Sequence, residues 1–268
     1  MKNKKIFFKF LFLVIASLIV LYPGCGEDTI NNNGGSGSGG WHPNFNFVVG
    51  QNIVYTTDSL TPTNIAIRKR MRTTMTIGNL IVVGGQTCYP FVGSTFDSAT
   101  NQTTPEAYYF RYDQSAGKYY QYGIRKLINP TQPDSWDLVG DFDLARGTSY
   151  FIGTINYTIT IPTIGTITFN GPLNGKIADS TTITSTGNPP QIINCYRIEM
   201  TASISGSSPA GTVTTNIVLD YYLGNVSTTS TSNAIVEIKL RPFSFTVAGI
   251  PNIAPQPGFD RKIFSHTP

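Results

Sequence analysis

Histidine is nearly absent from this chain of 268 residues. Of its two histidines, His42 follows a glycine-rich stretch and His266 stands two residues from the C-terminus. Neither is surrounded by the acids, hydroxyls or cysteines that a general base or a metal ligand requires. The sequence also lacks a G-x-S-x-G elbow, a phosphate loop, a dinucleotide fingerprint and the H-E-x-x-H and C-x-x-C motifs. We therefore expect no catalytic residues, no cofactor and no bound metal.

Charge is also scarce, because Asp, Glu, Lys and Arg make up 13% of the residues, against about 25% in average soluble domains. Thr, Ser, Asn and Gly supply the polarity instead, as in many exported β-proteins. A long apolar run is missing too. The longest uncharged apolar segment, residues 10–22, has thirteen residues, whereas a membrane-spanning helix needs about 20.

Four lysines (Lys2, Lys4, Lys5 and Lys9) precede that apolar segment, and Cys25 follows it in the stretch LYPGCGED. A basic segment followed by a short apolar one is typical of a secretory signal peptide. With its cysteine, the segment resembles a bacterial lipoprotein signal. The resemblance implies a signal peptide at 1–24 and a lipid on Cys25; plain secretion and a retained membrane anchor are the alternatives.

Removal of residues 1–24 takes away four of the 19 basic residues and leaves 15 against 15 acidic ones. The mature chain would then be electrically neutral. Its apparent basicity is no evidence for a polyanionic partner, so we expect no nucleic acid. Residues 25–40, with their run NNNGGSGSGG, read as a flexible tether. The acids after Cys25 resemble the signal that sends lipoproteins of some bacteria to the outer membrane, where we place the anchored protein.

From Trp41 onward the apolar residues alternate in short runs between turn residues, and no window shows helical periodicity. The predicted fold is all-β and antiparallel, a strongly curved sheet or barrel-like single domain over 41–268. A weak repeat of aromatic and cysteine marks suggests two related halves with a boundary near 140. The alternative is that strands of exported proteins simply look alike.

Cys88 and Cys195 remain as a pair once Cys25 carries lipid. An oxidising compartment would permit a disulfide between them. Each also stands in an apolar run, where cysteine often serves as a small buried hydrophobe. Both alternatives stay open.

Two groups of side chains are candidates for facing a ligand. Arg68, Arg70 and Arg72 share one face of a predicted strand and could hold phosphate or carboxylate groups, or simply form a charged outward face. On the predicted hairpin AYYFRYDQSAGKYYQY, Tyr109 and Arg111 lie opposite the face of Tyr108, Phe110 and Tyr112. One of these faces must pack in the core, and the other could bind a glycan or an acyl chain, whereas cross-strand packing alone also explains the rings.

The densest acids are Asp134, Asp137, Asp141 and Asp143. Their oxygens could bind Ca²⁺, which takes six to eight oxygen ligands. The stretch lacks the D-x-D-x-D-G loop, however, and Asp is a common turn residue. We prefer the simpler interpretation, a solvated turn-rich connection without a bound ion.

The segments FNFVVGQNIVYTTD, YYFRYDQSAGKYYQYG and DYYLG resemble a loose group of cell-envelope lipoproteins. The resemblance implies a curved antiparallel sheet similar to the half-barrels of periplasmic lipoprotein carriers, and it brings no catalytic residues. The leading hypothesis is a non-enzymatic, lipid-anchored envelope protein that binds an envelope glycan or lipid or acts structurally. The alternatives are a carrier of an acyl chain or lipid, and a carbohydrate-binding protein or a hydrolase that uses paired carboxylates.

Substitution of the proposed lipid-bearing cysteine gives a direct test of the anchor. Metabolic labelling with a lipid precursor should mark the wild-type chain and leave the Cys25→Ala variant unlabelled, because the thiol is the acceptor. Equal labelling of both chains would contradict the assignment.

Overall fold

The computed structural model describes residues 45–161, 165–225, 233–247 and 250–267, without the side chains of 67–70, 161, 225, 250–254, 266 and 267. The signal segment, Cys25, the tether and His42 lie outside the described residues, as does the side chain of His266. Fifteen strands and one 3₁₀ turn make up the described fold. The strands are β1 (Asn52–Leu60), β2 (Ala66–Ile77), β3 (Ile81–Val83), β4 (Gln86–Asp97), β5 (Gln102–Asp113), β6 (Lys118–Tyr122), β7 (Trp136–Asp141), β8 (Tyr150–Ile161), β9 (Gly165–Thr184), β10 (Ile192–Ser208), β11 (Gly211–Asn225), β12 (Asn233–Leu240), β13 (Phe243–Val247), β14 (Ile250–Gln256) and β15 (Gly258–Thr267); the turn is Ile124–Leu127.

The alternation read from the sequence appears in the strands. In β2, Thr73, Met75 and Ile77 are buried, whereas Arg72, which directly precedes Thr73, is exposed. The aromatic hairpin β5–β6 closes at Gly117, whose φ of 60° is a left-handed conformation that glycine adopts without strain. The predicted all-β, antiparallel fold is therefore confirmed.

The main sheet runs in the order β7-β6-β5-β4-β2-β1-β15-β12-β11-β10-β9-β8. Each half is a meander, because its strands pair mostly with their neighbours in sequence, and β1 and β15 join the halves antiparallel. The sheet is nearly closed into a barrel. Its two edges, β7 and β8, follow one another along the chain. The common origin of the two halves stays a prediction.

Aromatic side chains fill one end of the barrel. Just before β1, Phe45 and Phe47 enter the interior and are 8% and 5% exposed. The ring centroid of Phe45 lies 4.7 Å from that of Tyr112 on β5 and 5.9 Å from that of Tyr196 on β10. The first described residues of the domain thus plug this end, and they tie together strands from both halves.

The seam between β7 and β8 is closed by side chains instead of a ladder of backbone hydrogen bonds. Arg125, on the 3₁₀ turn, is 12% exposed, and its Nε lies 3.1 Å from Oδ1 of Asp137 on β7. Its Nη1 donates to the carbonyl oxygen of Thr154 on β8 at 2.9 Å, and its Nη2 donates to the hydroxyl of Ser135. One guanidinium therefore bridges both edge strands. The same hydrogen bonds satisfy its N–H donors, as a buried charge requires.

The residues after the 3₁₀ turn extend this bridge along β8. Asn129 Nδ2 donates to the carbonyl oxygen of Asn156 at 2.7 Å, and Gln132 Nε2 donates to the same oxygen. Edge carbonyls that no strand pairs are thereby satisfied. Gly153 makes room for the bridge, since a Cβ at this position would stand 3.1 Å from Cδ of Arg125.

Both domain cysteines are free thiols in buried positions, so the disulfide that the sequence left open is not formed. Cys88 on β4 lies under β3, where its Sγ approaches the carbonyl oxygen of Ile81 at 3.6 Å. Cys195 on β10 is packed near Val236 of β12, as both lie within reach of a Cβ placed on Gly224. The interpretation of small buried hydrophobes describes both.

The seam can be tested by removing its central cation. We expect Arg125→Ala to lower the free energy of unfolding by about 3–5 kcal/mol, because Asp137 would remain as a buried, unpaired charge. The neighbouring Lys126→Ala is the matched control and should cost under about 0.5 kcal/mol, since its partner Asp134 is exposed. Urea denaturation measures both values, and similar losses for the two variants would contradict the assignment.

Candidate ligand-binding site

A half-open cavity of about 290 Å³ lies on the inward side of the sheet, and its described lining includes none of the aromatic residues of the plug. Alternate residues of β1 and β15, together with β2, β12 and the 3₁₀ turn, form its wall. Half of its described lining is polar and half is apolar, with Thr57, Ser59, Lys126 and Arg261 in the first group and Met71, Leu127, Ile238 and Phe259 in the second. A cavity lined in this way suits an amphipathic molecule.

Arg261 provides the main polar group of this wall. Its guanidinium binds Glu106 of β5 in a bidentate pair, with Nη1 to Oε2 at 2.8 Å and Nη2 to Oε1 at 3.1 Å. Nη1 also donates to the hydroxyl of Tyr108, and Nε donates to Oγ1 of Thr57 at 3.2 Å. Since β15 and β5 are four steps apart in the sheet, about 19 Å along a flat one, this pair shows how strongly the barrel curves.

The partners of Glu106 continue as a chain of hydroxyls. The Thr95 hydroxyl donates to Oε1 of Glu106, and the Thr73 hydroxyl lies 2.6 Å from that of Thr95. Because a hydroxyl has one proton, Thr73 must be the donor in the second bond. Inward-facing polar groups on β2, β4, β5 and β15 are thus joined in one satisfied network, and this keeps the network's charges in place.

The electrostatics of the network follow from its burial. Burial alone would raise the pKa of Glu106, but the charge of Arg261 and the hydrogen bonds from Arg261, Thr95 and Tyr108 hold that pKa below its usual value. Burial raises the pKa of Tyr108 to about 12. At neutral pH the site therefore contains a carboxylate, a guanidinium and a neutral phenol.

Arg72, Tyr109 and Arg111, the predicted ligand-facing residues whose side chains the structure describes, lie elsewhere, on the outer surface. Arg72 is exposed, with its guanidinium carbon 4.9 Å from the ring centroid of Phe264. Tyr109 packs against Tyr122, and the guanidinium carbon of Arg111 lies 4.3 Å from the ring centroid of Tyr120. The side chains of Arg68 and Arg70 lie outside the described residues.

The two outer groups do not form one site. Arg72 lies level with Thr103 of β5, with β4 between them. Thr103 is six residues from Tyr109, which is about 20 Å along the strand. The inward face of β5, with Tyr108, Phe110 and Tyr112, is the core face. Whether the outer residues contact a ligand stays a prediction.

The four clustered aspartates have separate partners. Asp137 belongs to the seam, Asp134 pairs with Lys126 at 2.7 Å and Asp141 lies 3.6 Å from Lys118. Asp143 donates its backbone N–H to Oδ1 of Asp141 at 3.3 Å. Within the described part of the chain, no group of three or more His, Cys, Asp or Glu residues is placed to hold a metal ion.

A pair of acids, Glu237 and Asp260, lies in the barrel wall, with both side chains on the face opposite the cavity. Their neighbours Ile238, Phe259 and Arg261 point into the cavity, and successive strand residues face opposite sides. Glu237 is 5% exposed, and burial, with Asp260 beside it, raises its pKa to about 7. Lys262 Nζ lies 3.1 Å from Oε2 of Glu237. This pair is therefore walled off from the cavity.

Sequence reasoning missed Glu106 and Arg261, although a signal for both was present. Arg261 alternates with Phe259 and Ile263, and Glu106 alternates with Tyr108 and Phe110. A charge on the apolar face of a strand indicates a buried, paired group, because an unpaired charge in that position is costly. The sequence could not show that these two charges pair, since 155 positions separate them.

No protein-family model matches the chain, and no curated protein matches it. Among solved structures, the chain is similar to a putative lipoprotein from Parabacteroides distasonis, at 9% identity and a TM-score of 0.48 over 83% of this chain and 97% of the other. It is also similar to a putative exported protein with a YmcC-like fold from Bacteroides fragilis, at 8% identity and a TM-score of 0.44 over 84% and 98%. At these values the likeness does not identify a function.

Over the described ranges of the chain, no helix has the length and apolar character to cross a bilayer.

The ion pair inside the barrel has a pH signature. The lowered pKa of Glu106 means that its stabilising effect is complete above the unfolded-state value of 4.5 and is lost as the pH falls through the folded-state value. We expect wild-type stability to drop below about pH 4.5, and Glu106→Gln to remove this part of the drop. Urea denaturation across pH 3–7 measures it.

A double-mutant cycle gives the control. Glu106→Gln and Arg261→Met should each lower the free energy of unfolding. The loss in the double variant should be about 2–3 kcal/mol smaller than the sum of the two single losses, because the double variant leaves no unpaired charge. Additive losses would contradict the network.

Proposed function

We propose that this chain is a lipid-anchored cell-envelope protein of the outer membrane, and that it acts as a non-enzymatic binding module through the barrel cavity. The observation that carries the proposal is the cavity itself, which has an apolar wall and a fixed polar network beside it. A purely structural role would not require this space.

The size of the cavity limits what it could hold. Ligand pockets usually measure about 300–1,000 Å³, and about 290 Å³ lies at the lower end. The opposite end of the interior is filled by Phe45, Phe47 and the rings around them. The carrier alternative is therefore limited to holding the end of one acyl chain, because a whole lipoprotein lipid would fit only if the aromatic rings of the plug moved out of the interior.

The charges of the cavity indicate the class of ligand. Glu106 neutralises Arg261, and Asp134 lies 2.7 Å from Lys126. A strongly charged ligand would gain little here. The Thr57 and Ser59 hydroxyls offer hydrogen bonds beside the apolar wall, so the favoured ligand is small, uncharged and amphipathic.

The proposal of a non-enzymatic role is supported by the described lining. It includes no carboxylate, histidine or cysteine, and Glu106, the acid that binds the lining residue Arg261, is also held by Thr95 and Tyr108. A hydrolase of the paired-carboxylate type needs two acids facing its substrate. Glu237 and Asp260 face away from this cavity.

The anchor is supported by the sequence alone. The basic and apolar segments of residues 1–24, Cys25 and the glycine-rich run that follows are arranged as in lipid-anchored envelope proteins. Outer-membrane placement depends on the acids Glu27 and Asp28 that follow the cysteine.

Binding can be measured with N-phenyl-1-naphthylamine, an uncharged fluorescent amphipath. We expect the full chain to bind it saturably, with increased fluorescence as the dye leaves water. Ser59→Phe should weaken binding at least about tenfold, because the new ring occupies the cavity; the milder Ser59→Leu serves if the first variant melts early.

Thr103→Phe, which adds the same ring to an exposed position of β5, is the matched control and should bind as the wild type does. Unchanged binding by the Ser59 variants would contradict the cavity as the site.

A further inference from the structure

A small hairpin made of β3 and the start of β4 continues from the end of β2 beside which the chain enters the domain, and its turn packs against Tyr122 and Trp136 on the outer surface. Ile81–Val83 pairs with Gln86–Cys88, and Gly84 and Gly85 turn the chain with φ values of 54° and 75°. Trp136 Nε1 donates to the carbonyl oxygen of Val83 at 2.9 Å. The hairpin is therefore held firmly on the domain.

The exposed side chains of this hairpin are apolar on both of its faces, because successive strand residues such as Ile81 and Val82 point to opposite sides. Leu80, Ile81 and Val82 are 54%, 42% and 70% exposed, and residues 78–88 (GNLIVVGGQTC) contain no charge. Single exposed apolar residues are ordinary, but three in succession on an ordered hairpin mark an interaction surface. Val49, 46% exposed, adds to the apolar surface at the same end.

The placement of this surface indicates what covers it. Gly50 N donates to the carbonyl oxygen of Ile77 at 2.8 Å, so the chain enters the domain beside the strand end from which the hairpin leaves. Phe45, the first described residue, is twenty positions after Cys25. The predicted tether of that length would span about 25 Å and would hold this part of the domain close to an anchoring bilayer.

We propose that the hairpin surface formed by Leu80, Ile81 and Val82 docks into the lipid surface to which the chain is anchored, which rests on the proposed lipid at Cys25. A lipid surface fits because the hairpin offers apolar area without charge. Because the tether links the domain to the bilayer, the hairpin meets the lipid at a high effective concentration, and a contact of low affinity is sufficient. Docking should therefore be independent of salt and of anionic lipid.

The test places a nitrobenzoxadiazole label on the Val82→Cys variant of the full lipidated chain, in phosphatidylcholine vesicles that contain doxyl-labelled lipid. The buried Cys88 and Cys195 should resist labelling, because burial raises their thiol pKa. We expect a blue-shifted emission and strong quenching. The matched control, Ile65→Cys, is 64% exposed at the opposite end of the β1–β2 hairpin and should show neither.

The outcomes separate the two proposals. A chain that floats with the vesicles but shows equal, weak quenching at both positions would overturn docking and leave the anchor in place. Failure of the chain to float would overturn both. Blue-shifted emission without lipid quenching would indicate a second protein copy on the hairpin and would also overturn docking. If docking occurs, Leu80→Ser in the Val82→Cys chain should reduce quenching at least about twofold, and raised salt should leave it unchanged.

Discussion

The hydrogen bonds of Arg125 across the β7–β8 seam are the interaction on which the rest of the structure depends. The edge strands of this sheet meet without forming a ladder, so the backbone groups along the seam need other partners. A single guanidinium supplies donors to Asp137 on one edge and to the Thr154 carbonyl on the other. Asn129 and Gln132 continue the connection. The sheet can then remain curved with its interior enclosed.

The same short turn links closure to the cavity. Arg125 holds the seam, and the next two residues, Lys126 and Leu127, form part of the cavity wall. On the opposite wall, Arg261 and Glu106 join strands that are far apart in the sheet. Two buried ion pairs, with the hydrogen bonds of their arginines, therefore connect strands that no ladder joins, one at the seam and one beside the cavity. Apolar packing supplies most of the stability.

The fold class could be predicted from the sequence because alternation is a local signal. The hairpin at Gly117 and the inward face of β2 followed from spacing alone. The site could not be predicted in the same way, because it depends on contacts between distant strands. Tyr109 and Arg111, which the sequence predicted to face a ligand, lie on the other side of the sheet from the cavity. Glu106 and Arg261 carried a visible signal, a charge on an apolar strand face, whose meaning depends on the partner.

The central claim is that the 3₁₀ turn and the β15 wall enclose one ligand site. Hydrogen–deuterium exchange of the full chain, with and without N-phenyl-1-naphthylamine, tests it most directly. Exchange should slow in residues 123–129 and 257–262 and stay unchanged in residues 212–218 of β11, which do not line the cavity. Slowing that is uniform along the chain, or absent from the two cavity segments, would contradict it.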